Sequence, residues 1–118
     1  ERLLGEILTE HPKFPLAHYH LGLLRERQGR AAEAQAEYEK EIAANPKAVA
    51  ARFNLGVVLE DRGQTVEAME QYLEAVRLDP RVADVHFNLA RLYQQTGDQQ
   101  AALRHFSRFK ALTRDGKD

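Results

Sequence analysis

Apolar residues along this chain recur at steps near three and four, the interval that lines one face of a helix. One stretch runs Phe53, Leu55, Val58, Leu59, and the next Val66, Met69, Leu73, Val76, Leu78. No stretch alternates apolar with polar over the length of a strand. Breakers punctuate the pattern. Gly29, Gly63 and Gly97 each close one helical stretch, and Asn45-Pro46 and Asp79-Pro80 close the stretches that follow. Proline lacks the amide hydrogen and collides with the preceding turn, so it marks an end and not an interior. The pattern predicts first helices over roughly 15–28, 49–62 and 83–96, and second helices over roughly 31–44, 65–78 and 99–113.

The punctuation is periodic. Pro12, Pro46 and Pro80 are 34 residues apart, and so are Gly29, Gly63 and Gly97. Packing positions keep the same step: Leu21, Leu55, Leu89; Gly22, Gly56, Ala90; Ala34, Ala68, Ala102; Tyr38, Tyr72, Phe106. A helix-turn-helix unit of this length with these columns resembles the tetratricopeptide repeat. The resemblance implies an all-α fold, a right-handed α-solenoid of antiparallel helix pairs, with three units and one leading helix. It divides the chain into the second helix of a preceding partial repeat at 1–11, repeats at 15–48, 49–82 and 83–114, and a tail at 115–118. In such units the small residues at 22, 56 and 90 and at 34, 68 and 102 let the paired helices approach, and Tyr38, Tyr72 and Phe106 fill space toward the next unit. Two columns depart from the family pattern. A position that often carries a bulky apolar residue reads His18, Arg52, His86, and Glu41 stands where the next unit has the small Ala75.

The ends suggest a piece of something longer, because the chain opens on Glu1 and the 34-residue step places Leu4, Ile7 and Leu8 on a half unit. At the other end Arg114 occupies the proline position, and Lys110 replaces Ile42 and Val76 where a further unit would pack. This reads as the end of an array. Phe106 and Phe109 would then be incompletely covered, and weak self-association through the terminal helices is one expectation.

Composition narrows the chemistry. With 17 Lys+Arg against 18 Asp+Glu, the formal charge is −1, which does not fit a nucleic-acid partner. No apolar run approaches the ~18 residues of a membrane span, so no membrane insertion is expected. The absence of cysteine excludes disulfides, thiolate metal sites and thiol nucleophiles. Five histidines remain. His18 and His20 lie two apart on a helix and point ~200° apart, and His18 and His86 occupy one repeat column in different units, so no metal site is expected. Ser107 lies within a predicted helix with no nucleophile elbow around it, and no phosphate-binding glycine loop occurs. The chain is read as non-catalytic, without cofactor.

What remains is binding. Stacked helix pairs leave a concave surface lined by the first helices, and the resemblance assigns that surface to Tyr19, His20, Leu23 and Arg27, then Phe53, Asn54, Val57 and Asp61, then Asp84, Phe87, Asn88 and Arg91, with Leu16, Ala50 and Gln95 alongside. Two columns stand out. His20, Asn54 and Asn88 form a polar ladder, and Tyr19, Phe53 and Phe87 an aromatic one, the latter expected mainly to pack between repeats. An asparagine amide offers donor and acceptor together, which suits the backbone of an extended peptide, and its poor helix propensity argues for a reason beyond packing. A similar ladder in the family holds extended peptide. The alternative is that these amides satisfy neighbouring helix ends or water. Relatives that clamp a chaperone's terminal carboxylate use lysines, asparagines and an arginine, whereas Tyr19, Leu23, Asn54, Asp84 and Asn88 stand here. Asp84 would repel a carboxylate. The partner expected is a protein or peptide, held as an extended segment or a helix. The alternative setting is the recruiting segment of a larger enzyme such as a glycosyltransferase or hydrolase.

Overall fold

The computed structural model describes residues 17–117, all of whose regular elements are helices. They are α1 (Ala17–Arg27), α2 (Ala31–Ala44), α3 (Val49–Asp61), α4 (Thr65–Leu78), α5 (Ala83–Thr96) and α6 (Gln99–Lys117). Each first helix packs on the second helix of its own unit, and each second helix on the first helix of the next, so neighbours in sequence are neighbours in space. The radius of gyration, 15.4 Å, exceeds the ~13.5 Å of a compact globule of this length, as an open array requires. Five helices fall within two residues of the predicted spans. The leading helix expected at 1–11 lies outside the described residues. α6 continues through Lys117, past the end expected near 113, since Arg114 does not stop the helix as proline does in the earlier units.

The glycines act through backbone geometry. Gly29, Gly63 and Gly97 have φ of +73°, +79° and +93°, a region costly for any residue with a Cβ. In each turn the glycine amide bonds back three residues and the following amide bonds back five: Gly63 to the Glu60 carbonyl (2.9 Å) and Gln64 to the Leu59 carbonyl (2.8 Å), with equivalents at 29–30 and 97–98. This pairing satisfies the last carbonyls of the first helix and folds the chain back for the second. Asp98 Oδ1 then accepts from the Ala101 amide at 3.1 Å, capping α6.

Two contacts hold each unit together. Tyr38 and Tyr72 are wholly buried and lie against Gly22 and Gly56 of the same unit, so near that a Cβ on Gly22 would sit 2.5 Å from the Tyr38 ring. The tyrosines thus fill the space inside their own unit, more than the space toward the next. In the third unit a phenylalanine faces an alanine, Phe106 and Ala90. The second contact answers the odd polar column. His18 Nδ1 bonds the Glu37 carboxylate (2.8 Å), the Arg52 guanidinium donates to Gln71 (3.1 Å), and His86 Nδ1 meets His105 Nδ1 (2.9 Å). In all three units the partner lies 19 residues on, across the helix pair. His86 is buried but fully engaged: its Nε2–H donates to the Pro80 carbonyl at 2.8 Å, leaving Nδ1 to accept from the His105 Nδ1–H. A bulky apolar filler has been replaced by a cross-helix hydrogen bond.

Leu55, Val58, Leu59, Val85, Leu89 and Leu92 join Tyr38, Tyr72, Ala34, Ala68 and Ala75 in one core that crosses the unit boundaries.

Candidate functional site

The first helices carry the candidate surface, and the structure places its residues in three states. His20, Arg27, Asp61 and Asp84 are exposed. Tyr19, Leu23, Phe53 and Val57 are half-buried and rest against the core, so only their edges are available to a ligand. Asn54, Asn88 and Arg91 are half-buried, each with a polar partner.

The ring pairs of the aromatic column lie within units. Tyr19 pairs with Tyr38 (ring centroids 6.0 Å apart), Phe53 with Tyr72 (5.9 Å) and Phe87 with Phe106 (6.1 Å), again at a step of 19. Intra-unit packing prevails because the second-helix aromatic at 38, 72 or 106 already occupies the space beside it. Phe87 also lies 5.2 Å from Phe109 and is 41% exposed, the most open of its column.

The two asparagines have unlike surroundings. The Asn54 amide donates to the Tyr19 hydroxyl at 3.1 Å, joining α3 to α1 across the first unit boundary. The Asn88 amide donates to the Tyr72 hydroxyl at 3.3 Å, joining α5 to α4. A 34-residue shift cannot reproduce the first bond at the second boundary, since Phe53 has no hydroxyl where Tyr19 has one. These partners are tyrosines, where helix ends or water were the alternative expected to a ligand. Each amide makes this one hydrogen bond among the described residues, and an asparagine side chain can make four.

At the second boundary a further network forms. Glu60 Oε1 accepts from both the Tyr72 hydroxyl (2.8 Å) and the Arg91 guanidinium (2.8 Å). Burial and the Glu60 carboxylate push the Tyr72 phenol well above its ordinary pKa, and Glu60 likewise raises the Arg91 guanidinium. At the first boundary Glu26 accepts from the Tyr38 hydroxyl, but Val57 stands in the place of Arg91, so that arginine has no counterpart in its column. Arg91 is therefore occupied with its own array. Glu60 was missed as a participant because its role depends on a residue 31 positions away.

Glu41 was noticed in the sequence only as a misfit. It is 5% exposed and lines a cavity of about 270 Å³ between the end of α2 and the start of α3, together with Tyr19, Asn45 and residues 48–51. Among the described residues no group of three or more His, Asp or Glu side chains could hold a metal ion, and no helix is long and apolar enough to cross a membrane.

Comparison with known proteins bears on this geometry. Models of the tetratricopeptide repeat match residues 1–42, 19–81 and 71–104. No curated protein sequence matches the chain. A crystal structure of MamA superposes with a TM-score of 0.90 at 19% identity, covering 97% of this chain and 67% of that one. The MamA 41-end fragment from Desulfovibrio magneticus RS-1 gives 0.86 at 24%, with 99% and 66% covered. MamA AMB-1 gives 0.82 at 31%, with 96% and 62% covered. The chain thus spans about two thirds of the length of these structures. The first two likenesses concern the fold alone, while the family models cover most of the sequence. The chain belongs to the tetratricopeptide repeat family, whose arrays are protein-interaction modules.

Proposed function

We propose that the array binds an extended peptide along the inner face of α1, α3 and α5, without catalysing a reaction, and that Asn54 and Asn88 grip the peptide backbone. The observation that carries this reading is the spare capacity of the two amides. Each is held in place by a tyrosine hydroxyl and keeps its carbonyl oxygen and one N–H free of any described residue. A positioned amide with open valences reads backbone and not side chain, so the grip tolerates many sequences. Around it the exposed charges are mixed, Arg27 against Asp61 and Asp84, which favours no strongly charged partner as a whole.

The affinity at stake is modest. Two amide-to-backbone bonds at ~0.5–1.5 kcal/mol each amount to ~1–3 kcal/mol, or roughly 5- to 150-fold in Kd. The test is to select a peptide from a displayed library with the wild-type chain, then measure its Kd for the Asn54→Ala/Asn88→Ala double variant and for Tyr19→Phe. The double variant should lose affinity within that range at unchanged helicity. Tyr19→Phe deletes the intramolecular partner but keeps the Asn54 amide, and should bind at least as well as half the wild-type affinity. Equal Kd for the double variant and the wild type would overturn the proposal.

A further inference from the structure

Glu41 poses a physical problem that the repeat does not need. The same column holds Ala75, wholly buried, in the second unit and Phe109 in the third, so the fold accepts an apolar residue there. In the first unit the position carries a glutamate that is 5% exposed as a residue, and its carboxylate is not among the side-chain atoms buried without a partner, so it keeps some water. A carboxylate in so narrow an opening has lost most of its hydration, and an opposite charge beside it would offset that loss. Beside it lies the 270 Å³ cavity, whose walls are the Tyr19 ring, Asn45 and the aliphatic side chains of residues 48–51. The cavity is therefore apolar along its sides with one carboxylate in its wall.

We infer that this cavity is a specificity pocket for a lysine side chain of a peptide lying on the inner face, the ammonium meeting Glu41 and the methylenes lying along residues 48–51. An ammonium on a four-carbon stem fits both halves of the wall, since the stem is apolar and the head a compact charge. A guanidinium fits less well, because its wide planar fork spreads five donors against mostly apolar walls, where an ammonium has three at one compact point. A bare metal ion fits worst, as Glu41 belongs to no group of three or more His, Asp or Glu side chains among the described residues. The Tyr19 ring adds an aromatic face to a cation. Tyr19 also ties the pocket to the groove, because its hydroxyl holds Asn54 while its side chain walls the cavity. The inference rests on the groove reading above, and its test is separable from that one.

The experiment titrates the ¹⁵N-labelled chain at low salt with Nα-acetyl-lysine methylamide, with the norleucine methylamide that has the same stem without the charge, and with the arginine equivalent. The lysine probe should shift the amides of Asn45 and residues 49–51 saturably, with an apparent Kd at least fivefold below that of norleucine and below that of arginine. Glu41→Gln, checked for retained helicity, should erase the difference between lysine and norleucine. Glu41→Ala restores the residue found in the second unit and serves as the variant certain to suit the repeat. It should erase the difference as well. Equal responses to lysine and norleucine, no saturable shift up to 100-fold molar excess, or shifts centred elsewhere would each overturn the pocket. Lysine binding here in a chain whose selected peptide ignores Asn54 and Asn88 would keep the pocket and discard the groove. A peptide that needs the asparagines yet ignores Glu41→Gln would do the reverse.

Discussion

Substituting Gly56 by alanine tests the packing that sets the spacing of α3 and α4. A Cβ at this position would lie 2.7 Å from Tyr72 Cδ1 and nearer still to Cε1, where ordinary contacts are 3.4 Å or more. The ring is wholly buried and must retreat by the better part of an ångström. Overpacking of this kind costs ~1–3 kcal/mol. The retreat also strains the hydroxyl's hydrogen bond to Glu60, a charged acceptor whose loss alone would cost ~1.5–3 kcal/mol. Against this, alanine gains ~1 kcal/mol over glycine in a helix interior. The net expectation is a loss of about 2 kcal/mol, read from urea unfolding followed by circular dichroism at 222 nm. The decisive measurement repeats the substitution in a Tyr72→Leu background. With the ring gone, Gly56→Ala should become neutral or stabilising by up to ~1 kcal/mol. The same cost in both backgrounds, within ~0.3 kcal/mol, would refute the reasoning, because the two residues would then be uncoupled.

Two other predictions concern charge. Burial, then the neighbouring His86 and Arg104, lower the His105 imidazole below its ordinary value of 6.5; the unfolded chain then takes up the proton first, so stability is full above pH 6.5 and falls as the pH drops through that value. The slope cannot exceed ~1.4 kcal/mol per pH unit, and the urea midpoint should fall more between pH 7.5 and 5 for the wild type than for His105→Gln; equal falls would refute it. Arg91→Met should cost only ~0.5–1 kcal/mol in the same assay, because the guanidinium is 36% exposed and its attraction to Glu60 is partly screened by solvent. A cost that does not shrink in 0.5 M salt would contradict that assignment.

The helices were legible because their boundaries are written in residues with few conformational choices. A glycine at positive φ and a proline without an amide mean the same thing in every unit, and the 34-residue step multiplies the signal. The side-chain partnerships were not legible, although a second regularity was available. Glu37, Gln71 and His105 form a 34-residue column of their own, offset by 19 from His18, Arg52 and His86, and the two columns could have been paired from the sequence. The Glu60 to Arg91 bond had no such sign, because it crosses a unit boundary and has no counterpart at the other one. Of the residues assigned to the inner face, His20, Arg27, Asp61 and Asp84 are exposed. Arg91 could not be foreseen as engaged within the array, nor the half-burial of Leu23 and Val57, since both depend on how far one unit is rotated on the next. Glu41 stood out as a departure, but its cavity depends on how the end of α2 meets the start of α3 and Tyr19, which residue types alone do not fix.

The two unit boundaries are fastened differently. One is bridged on its inner side by a neutral bond, Tyr19 to Asn54, and the other by a neutral bond, Asn88 to Tyr72, joined by an ion pair that also anchors the buried phenol. A neutral bond between an amide and a hydroxyl is short-ranged and indifferent to ionic strength, whereas a charged one weakens as counterions gather. On the inner side, then, the hold at one joint is indifferent to the salt around it and the hold at the other responds to it in part, as in a pair of pins of which one is adjustable.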